Sequence, residues 1–271
     1  MSPLAVAFAV VAAGGLLAAA AERTLGDEFA SAIDRGDVLA VKALVEDGAN
    51  PDTPIAYGEN KVTPLARAAG RGKRDIVRYL LSKGAKVNAP TTDGETALME
   101  AVKGAFDDIV TMLIAAGADI KARDGRGNTA FSLAVFGAHL EIADALIAKG
   151  ADPNAVDGNG FTPLLGAASM GNEDVLRYLV GKGAKVNAVG QIEYGGTTAL
   201  TTAARVGQVA SVKALLELGA DPRLRMKSGT TALSNALESG NEEVIALIKA
   251  ALARPAPGKV PSRTKPSPAS R

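Results

Sequence analysis

The sequence predicts an all-α solenoid of about seven helix-turn-helix units, each near 33 residues and joined to the next by a hairpin loop. Three observations predict it. Thr63-Pro64-Leu65, Thr96-Ala97-Leu98, Thr129-Ala130-Phe131, Thr162-Pro163-Leu164, Thr198-Ala199-Leu200 and Thr231-Ala232-Leu233 recur at spacings of 33, 33, 33, 36 and 33 residues. A Gly-Ala pair beginning at Gly48, Gly84, Gly117, Gly150, Gly183 and Gly219 recurs independently at 36, 33, 33, 33 and 36. The 271 residues are 47% hydrophobic but only 4% aromatic, with no Trp and no Cys, so the core has to be built from Ala, Leu, Val and Ile.

Taken in chain order, residues 4–21 come first. They form an uncharged run of Ala, Val, Leu, Gly and Phe ending in Ala18-Ala19-Ala20-Ala21 before Glu22. Residues 1–21 read as a signal peptide or an N-terminal membrane anchor, with a buried helix of the fold as the third reading. No Lys or Arg precedes the run, which an export signal ordinarily has. The repeat domain spans 27–252, in units near 27–59, 60–92, 93–125, 126–158, 159–194, 195–227 and 228–252.

Within a unit, Thr is expected to cap the first helix, and Pro in the next position sits where its missing N–H costs nothing. Asp27 stands in for Thr in the first unit. Five residues on, Ala recurs in every unit, at 32, 68, 101, 134, 167, 203 and 236, so that neighbouring helices approach closely. The second helix opens on acids such as Asp107-Asp108, Glu173-Asp174 and Glu242-Glu243. It closes on Lys83, Lys149 or Lys182 before a Gly, complementing the helix dipole and supplying a left-handed cap. Seventeen residues after each Thr stands Leu44, Leu80, Leu113, Leu146, Leu179, Leu215 or Ile248. One helix pair cannot bury these faces, and stacked pairs can. Lys249, where earlier units have Val, Leu or Ile, is a capping substitution on the outer face of the last unit.

Residues 253–271 carry five prolines and five basic residues without an acid. Such a segment buries too little apolar surface to fold, and reads as a solvated linker, or as a docking arm for acidic partners or anionic lipid. Removing its five charges from the chain's net +1 leaves the remainder at −4. Neither balance gives a general attraction to nucleic acid, and no nucleic-acid partner is expected.

The period, the Thr-Pro-Leu and Gly-Ala marks and the loops Gly84-Ala85-Lys86-Val87-Asn88-Ala89 and Gly183-Ala184-Lys185-Val186-Asn187-Ala188 resemble the ankyrin-repeat family. The family's His after Thr-Pro-Leu is replaced throughout, by Ala66, Met99, Ser132, Leu165, Thr201 and Ser234. Its hydrogen bonds therefore have to be replaced or lost.

Catalytic chemistry is nearly absent. Without Cys, and with His139 as the single imidazole, thiol nucleophiles and cysteine or multi-histidine metal sites are excluded. No nucleophile elbow, phosphate loop or dinucleotide fingerprint occurs, so no enzyme, cofactor or metal is expected. Asp124-Gly125 and Asp157-Gly158 read as turns rather than calcium loops. The resemblance implies a non-catalytic, monomeric scaffold that binds a partner protein through its concave face and hairpin tips. The inner ridge then comprises Asp34-Arg35, Gly70-Arg71, Lys103-Gly104, Phe136-Gly137, Ser169-Met170, Arg205-Val206 and Glu238-Ser239. Phe136, Phe161 and Met170 form the expected apolar patch, with Arg71, Lys103, Arg126 and Arg205 as a positive surround. The insertions Ile55-Ala56-Tyr57-Gly58 and Ile192-Glu193-Tyr194-Gly195 place Tyr57 and Tyr194 at two ends of an extended footprint. Export points to the periplasm or the outside of the cell, or to the inner membrane if residues 4–21 anchor the chain. The remaining readings are an immunity or inhibitor protein blocking a toxin or enzyme in that compartment, and a membrane-tethered structural scaffold.

Overall fold

The computed structural model describes residues 15–190 and 195–254. Among them, helix α1 (Gly15–Arg35) pairs with α2 (Val38–Glu46), and a hairpin follows, β1 (Ile55–Tyr57) with β2 (Asn60–Val62). Six further pairs come next: α3 (Pro64–Gly70) and α4 (Arg74–Ser82), α5 (Ala97–Lys103) and α6 (Asp107–Ala115), α7 (Ala130–Phe136) and α8 (Leu140–Ala148). The series ends with α9 (Pro163–Met170) and α10 (Glu173–Gly181), α11 (Ala199–Val206) and α12 (Val209–Glu217), α13 (Ala232–Ser239) and α14 (Glu242–Ala253). First helices pack on first helices and second on second, unit after unit. This is the predicted solenoid.

The caps form as the sequence dictates. Thr63, Thr96, Thr129, Thr162, Thr198 and Thr231 hold extended backbone, and each hydroxyl accepts from the amide three residues on. Asp27 is different. It lies inside α1, which runs unbroken from Gly15: the helix formers at 18–23 carry the helix forward, and it continues through Gly26, whose missing side chain lets the Pro54 carbonyl approach to 2.6 Å of where a Cβ would stand. Residues 15–21 of the apolar N-terminal run thus belong to α1, and residues 1–14 lie outside the described residues. No helix among the described residues is long and apolar enough to cross a membrane. The tail from 255 on and residues 191–194, with Tyr194, also lie outside the description.

The missing His is replaced in two ways. Ser132, Thr201 and Ser234 return their hydroxyls to the capping Thr amide at 2.9, 2.8 and 2.9 Å, closing reciprocal capping boxes. Ala66, Met99 and Leu165 instead bury apolar side chains at the same place.

Packing follows the period. The recurrent Ala at 32, 68, 101, 134, 167, 203 and 236 is buried in every unit, as is the Leu or Ile of the second helix. Lys249 is exposed. The loops are tied by an Asn ladder. Asn88, Asn154 and Asn187 donate to the carbonyls of Gly117, Gly183 and Gly219 at 3.2, 3.1 and 3.4 Å. The same three amides accept from Asp119, Lys185 and Asp221 N–H groups at 2.8, 2.8 and 2.9 Å. Gly117, Gly183 and Gly219 sit at φ 89°, 94° and 90°, which turns each helix C-terminus into the loop that the preceding Asn reaches.

Among the described residues one buried side-chain polar atom is unsatisfied: the Ser211 hydroxyl in α12 is fully buried without a hydrogen-bond partner. Replacing Ser211 by Ala removes that desolvation cost and raises helix propensity, so Ser211→Ala should stabilise the protein by about 1 kcal/mol. A higher urea midpoint with unchanged slope would bear this out, and a lower midpoint would refute it.

Candidate partner-binding surface

The ends of the first helices line up along the solenoid and present the inner ridge. At the end of α7, the Phe136 ring lies over Gly166 of α9, where an added Cβ would stand 2.3 Å from the ring edge. Met170 follows Gly166 by one helical turn and is 47% exposed, so it shares the face that the ring crosses. Val206 occupies the corresponding place at the end of α11 and is 46% exposed. Phe136, Met170 and Val206 therefore form one apolar strip across three neighbouring units.

Phe161 does not join the strip. It is half-buried against the core, its amide donates to Asp157 Oδ1 at 2.9 Å, and its carbonyl accepts from the Asp157 amide at 2.9 Å. It belongs to its own hairpin, and the Asp157 and Asp124 carboxylates are spent on turn amides. Val206 was legible only as the partner of Arg205 in the ridge pairs, since a lone Val carries no motif.

The expected positive surround divides. Arg126 and Arg205 are exposed and make no ion pair among the described residues. Arg71 and Lys103 are neutralised instead. Arg71 Nε stands 3.4 Å from Asp34 Oδ1, and Arg67 forks onto the same carboxylate at 3.0 and 2.6 Å. The Arg67 hydrogen bond holds the Asp34 carboxyl below its ordinary range. Lys103 Nζ bridges Glu95 at 2.7 Å and Glu100 at 3.0 Å. Glu100 is the i,i+3 neighbour of Lys103 on α5, whereas Glu95 lies in the loop before that helix and Asp34 a full unit before Arg71, pairings that sequence spacing does not announce.

Tyr57 at the tip of the first hairpin is exposed, and the Arg67 guanidinium lies 5.5 Å from its ring centroid. Tyr57, Arg67, Glu95, Glu100 and Lys103 line a cleft of about 450 Å³ between the hairpin and α3 and α5. Gly70 leaves room in it for the Glu100 carboxyl, since a Cβ there would lie 2.8 Å from Oε2. Burial, reinforced by the facing Glu95, pushes the Glu100 carboxyl up to about 7. Burial opposes ionisation of Glu95 as well, but hydrogen bonds with Glu100 and Lys103 hold it below the ordinary value. Lys103 is held above its ordinary value by the two carboxylates despite burial. The three groups thus share charge among themselves.

His139 sits half-buried at the N-cap of α8 without a side-chain cap bond, its ring over Gly137. Among the described residues no cluster of His, Cys, Asp or Glu is arranged to hold a metal ion.

A family model described as ankyrin repeats matches residues 29–124, 107–190 and 188–254. Among solved structures, the ankyrin repeat domain of human ASB11 is similar at 28% identity and TM-score 0.70, over 84% of this chain and 99% of that one. The ankyrin repeat domain of Bcl-3, a member of the IkappaB protein family, is similar at 28% identity and TM-score 0.68, over 82% and 97%. The ankyrin repeat, SAM and basic leucine zipper domain-containing protein 1 of Mus musculus is 37% identical over 62 residues, which is 23% of this chain and 12% of the relative. Its Equus caballus counterpart is 37% identical over 75 residues, 28% of this chain and 15% of the relative. The chain therefore spans only a small part of these two curated relatives.

The Glu100 carboxyl gives a pH signature. Its folded value lies above the ordinary 4.5, so the folded protein keeps a proton that the unfolded chain releases. Glu100 therefore makes stability fall as pH rises through that interval. Between about pH 5 and about pH 8, the urea midpoint of Glu100→Gln should decline less than that of the wild type. Parallel declines would show that Glu100 titrates normally.

Proposed function

The chain belongs to the ankyrin-repeat family, and from that premise we propose that it is a scaffold whose partner protein docks on the strip of Phe136, Met170 and Val206. Ankyrin-repeat domains generally mediate protein–protein interaction and generally act without catalysis. The observation that carries the reading is the exposure of an apolar side chain at the first-helix end of each of three adjacent units. A rigid solenoid presents such a strip preformed, so binding orders little chain. The exposed Arg126 and Arg205 favour a partner segment with apolar anchors and acidic flanks. Tyr57 and the charged cleft mark the N-terminal limit of the footprint.

Alanine at Met170 or at Val206 should each weaken partner binding about tenfold, with the melting temperature nearly unchanged. A photo-crosslinking probe at position 170 should give a discrete adduct that a probe at the exposed Glu141 of α8 does not. Unchanged affinity in both variants would remove the strip as the site.

Export is the second part of the proposal, supported by the uncharged run 4–21 and its small residues before Glu22. The intact mass of the protein recovered from cells should correspond to a chain starting at Glu22. A mass that retains residues 1–21, in the membrane fraction, would favour the tethered scaffold instead.

A further inference from the structure

The far end of the solenoid is finished differently from its interior. Six residues after each capping Thr, Ala69, Val102, Val135, Ala168 and Ala204 are buried by the unit that follows. The same position in the last unit is Leu237, which is 57% exposed. Fourteen residues on, Val77, Val110, Ala143, Leu176 and Val212 are buried, whereas Ile245 is only half-buried. Leu233 and Leu252 are half-buried as well. The outer face of a terminal repeat is ordinarily polar, and here Lys249 alone follows that rule among these positions.

We propose that residues 255–263 of this chain lie across that end face as an extended strap. Its prolines and Val260 would cover Leu233, Leu237 and Ile245, and Lys259 and Arg263 would meet Glu238, Glu242 and Glu243. Three observations support this occupant.

The chain leaves α14 at the edge of the face. Arg223 donates to the Leu252 carbonyl at 3.1 Å and to the Arg254 carbonyl, tying the helix end to the loop of the preceding unit. Arg254 already holds φ −71° and ψ 142°, the polyproline conformation that Pro255 requires of the residue before it.

The lengths agree. The twelve residues of α14 measure about 18 Å along the axis. A polyproline strand covers about 16 Å from Arg254 to Lys259 and about 28 Å to Arg263. Because α13 and α14 are antiparallel, Glu238, Glu242 and Glu243 cluster at the end that this strand reaches.

The charges are complementary. Those three carboxylates are exposed and make no ion pair among the described residues, and the segment beyond Ala253 carries basic residues and no acid. Each contact is weak in isolation, but the strap is tethered within one residue of its site, so its effective concentration is high.

The sequence contains no Cys, so Ser262→Cys gives a single nitroxide label on the full-length chain. In a ¹⁵N-labelled sample, amide signals of 233–238 and 242–245 should lose intensity, and the loss should persist when labelled protein is diluted into excess unlabelled protein. Adding Lys259→Glu and Arg263→Glu should restore those signals. Loss confined to the last turn of α14 would mean that the tail points into water, and would overturn the proposal. Loss that vanishes on dilution would assign the face to a second copy, and loss that survives both charge reversals would remove the acidic cluster as the anchor. Either of these results would also overturn it.

Discussion

No unit of this chain can bury its own apolar face, and the whole structure depends on the next unit doing so. The alanines at 32, 68, 101, 134, 167, 203 and 236 set how closely the covering helix approaches. A larger side chain at any one of them would push two units apart rather than distort one, because each unit contacts only its neighbours. The Asn ladder applies the same constraint to the loops. Each Asn amide reaches forward to a carbonyl and an N–H of the following unit, so loop geometry is inherited along the chain. Function is thereby confined to positions that stacking does not use: the inner ridge, the hairpin tips and the two ends.

The inner ridge divides by chemistry. In the first three units it carries ions that neutralise one another, Asp34 with Arg67 and Arg71, and Lys103 with Glu95 and Glu100. Further along it carries the exposed Phe136, Met170 and Val206, and Arg205 there makes no ion pair among the described residues. Paired surface ions contribute little net affinity to a partner that cannot replace their existing bonds, whereas exposed apolar area contributes on being covered. On the docking surface proposed above, the apolar area available for covering therefore lies toward the second half of the chain.

Much of this is legible in the sequence. Thr caps, the recurrent Ala, the Gly turns and the exposed Lys249 each follow from a local rule repeated six or seven times, and repetition turns weak propensities into a firm reading. What was not legible depends on neighbours distant in sequence. Arg71 looks free in the sequence and is paired with Asp34 in the fold, Lys103 gains Glu95 beside its i,i+3 neighbour Glu100, and Phe161 looks like an interface aromatic but packs half-buried against the core. Asp27 reads as a cap by alignment, yet the helix that starts upstream runs through Gly26 and past it. Ala105 and Ala138 hold φ 54° and 55°, where other units have Gly, a strain that no residue-type rule would assign to Ala.

The lost histidine shows why the fold tolerates such departures. After Thr-Pro-Leu or its variants, this chain uses two physically different solutions. Ser132, Thr201 and Ser234 close hydroxyl boxes on the capping residue, while Ala66, Met99 and Leu165 give up that bond and bury apolar surface. A box and a buried methionine contribute on the same scale, roughly 1–2 kcal/mol each, so either satisfies the unit. The small residue between stacked helices has no such substitute, because helix separation is a geometric requirement rather than an energy that another contact can match. The positions that define the fold are therefore those where sterics leave one solution, and a signature built on hydrogen bonding can be absent throughout without changing the architecture.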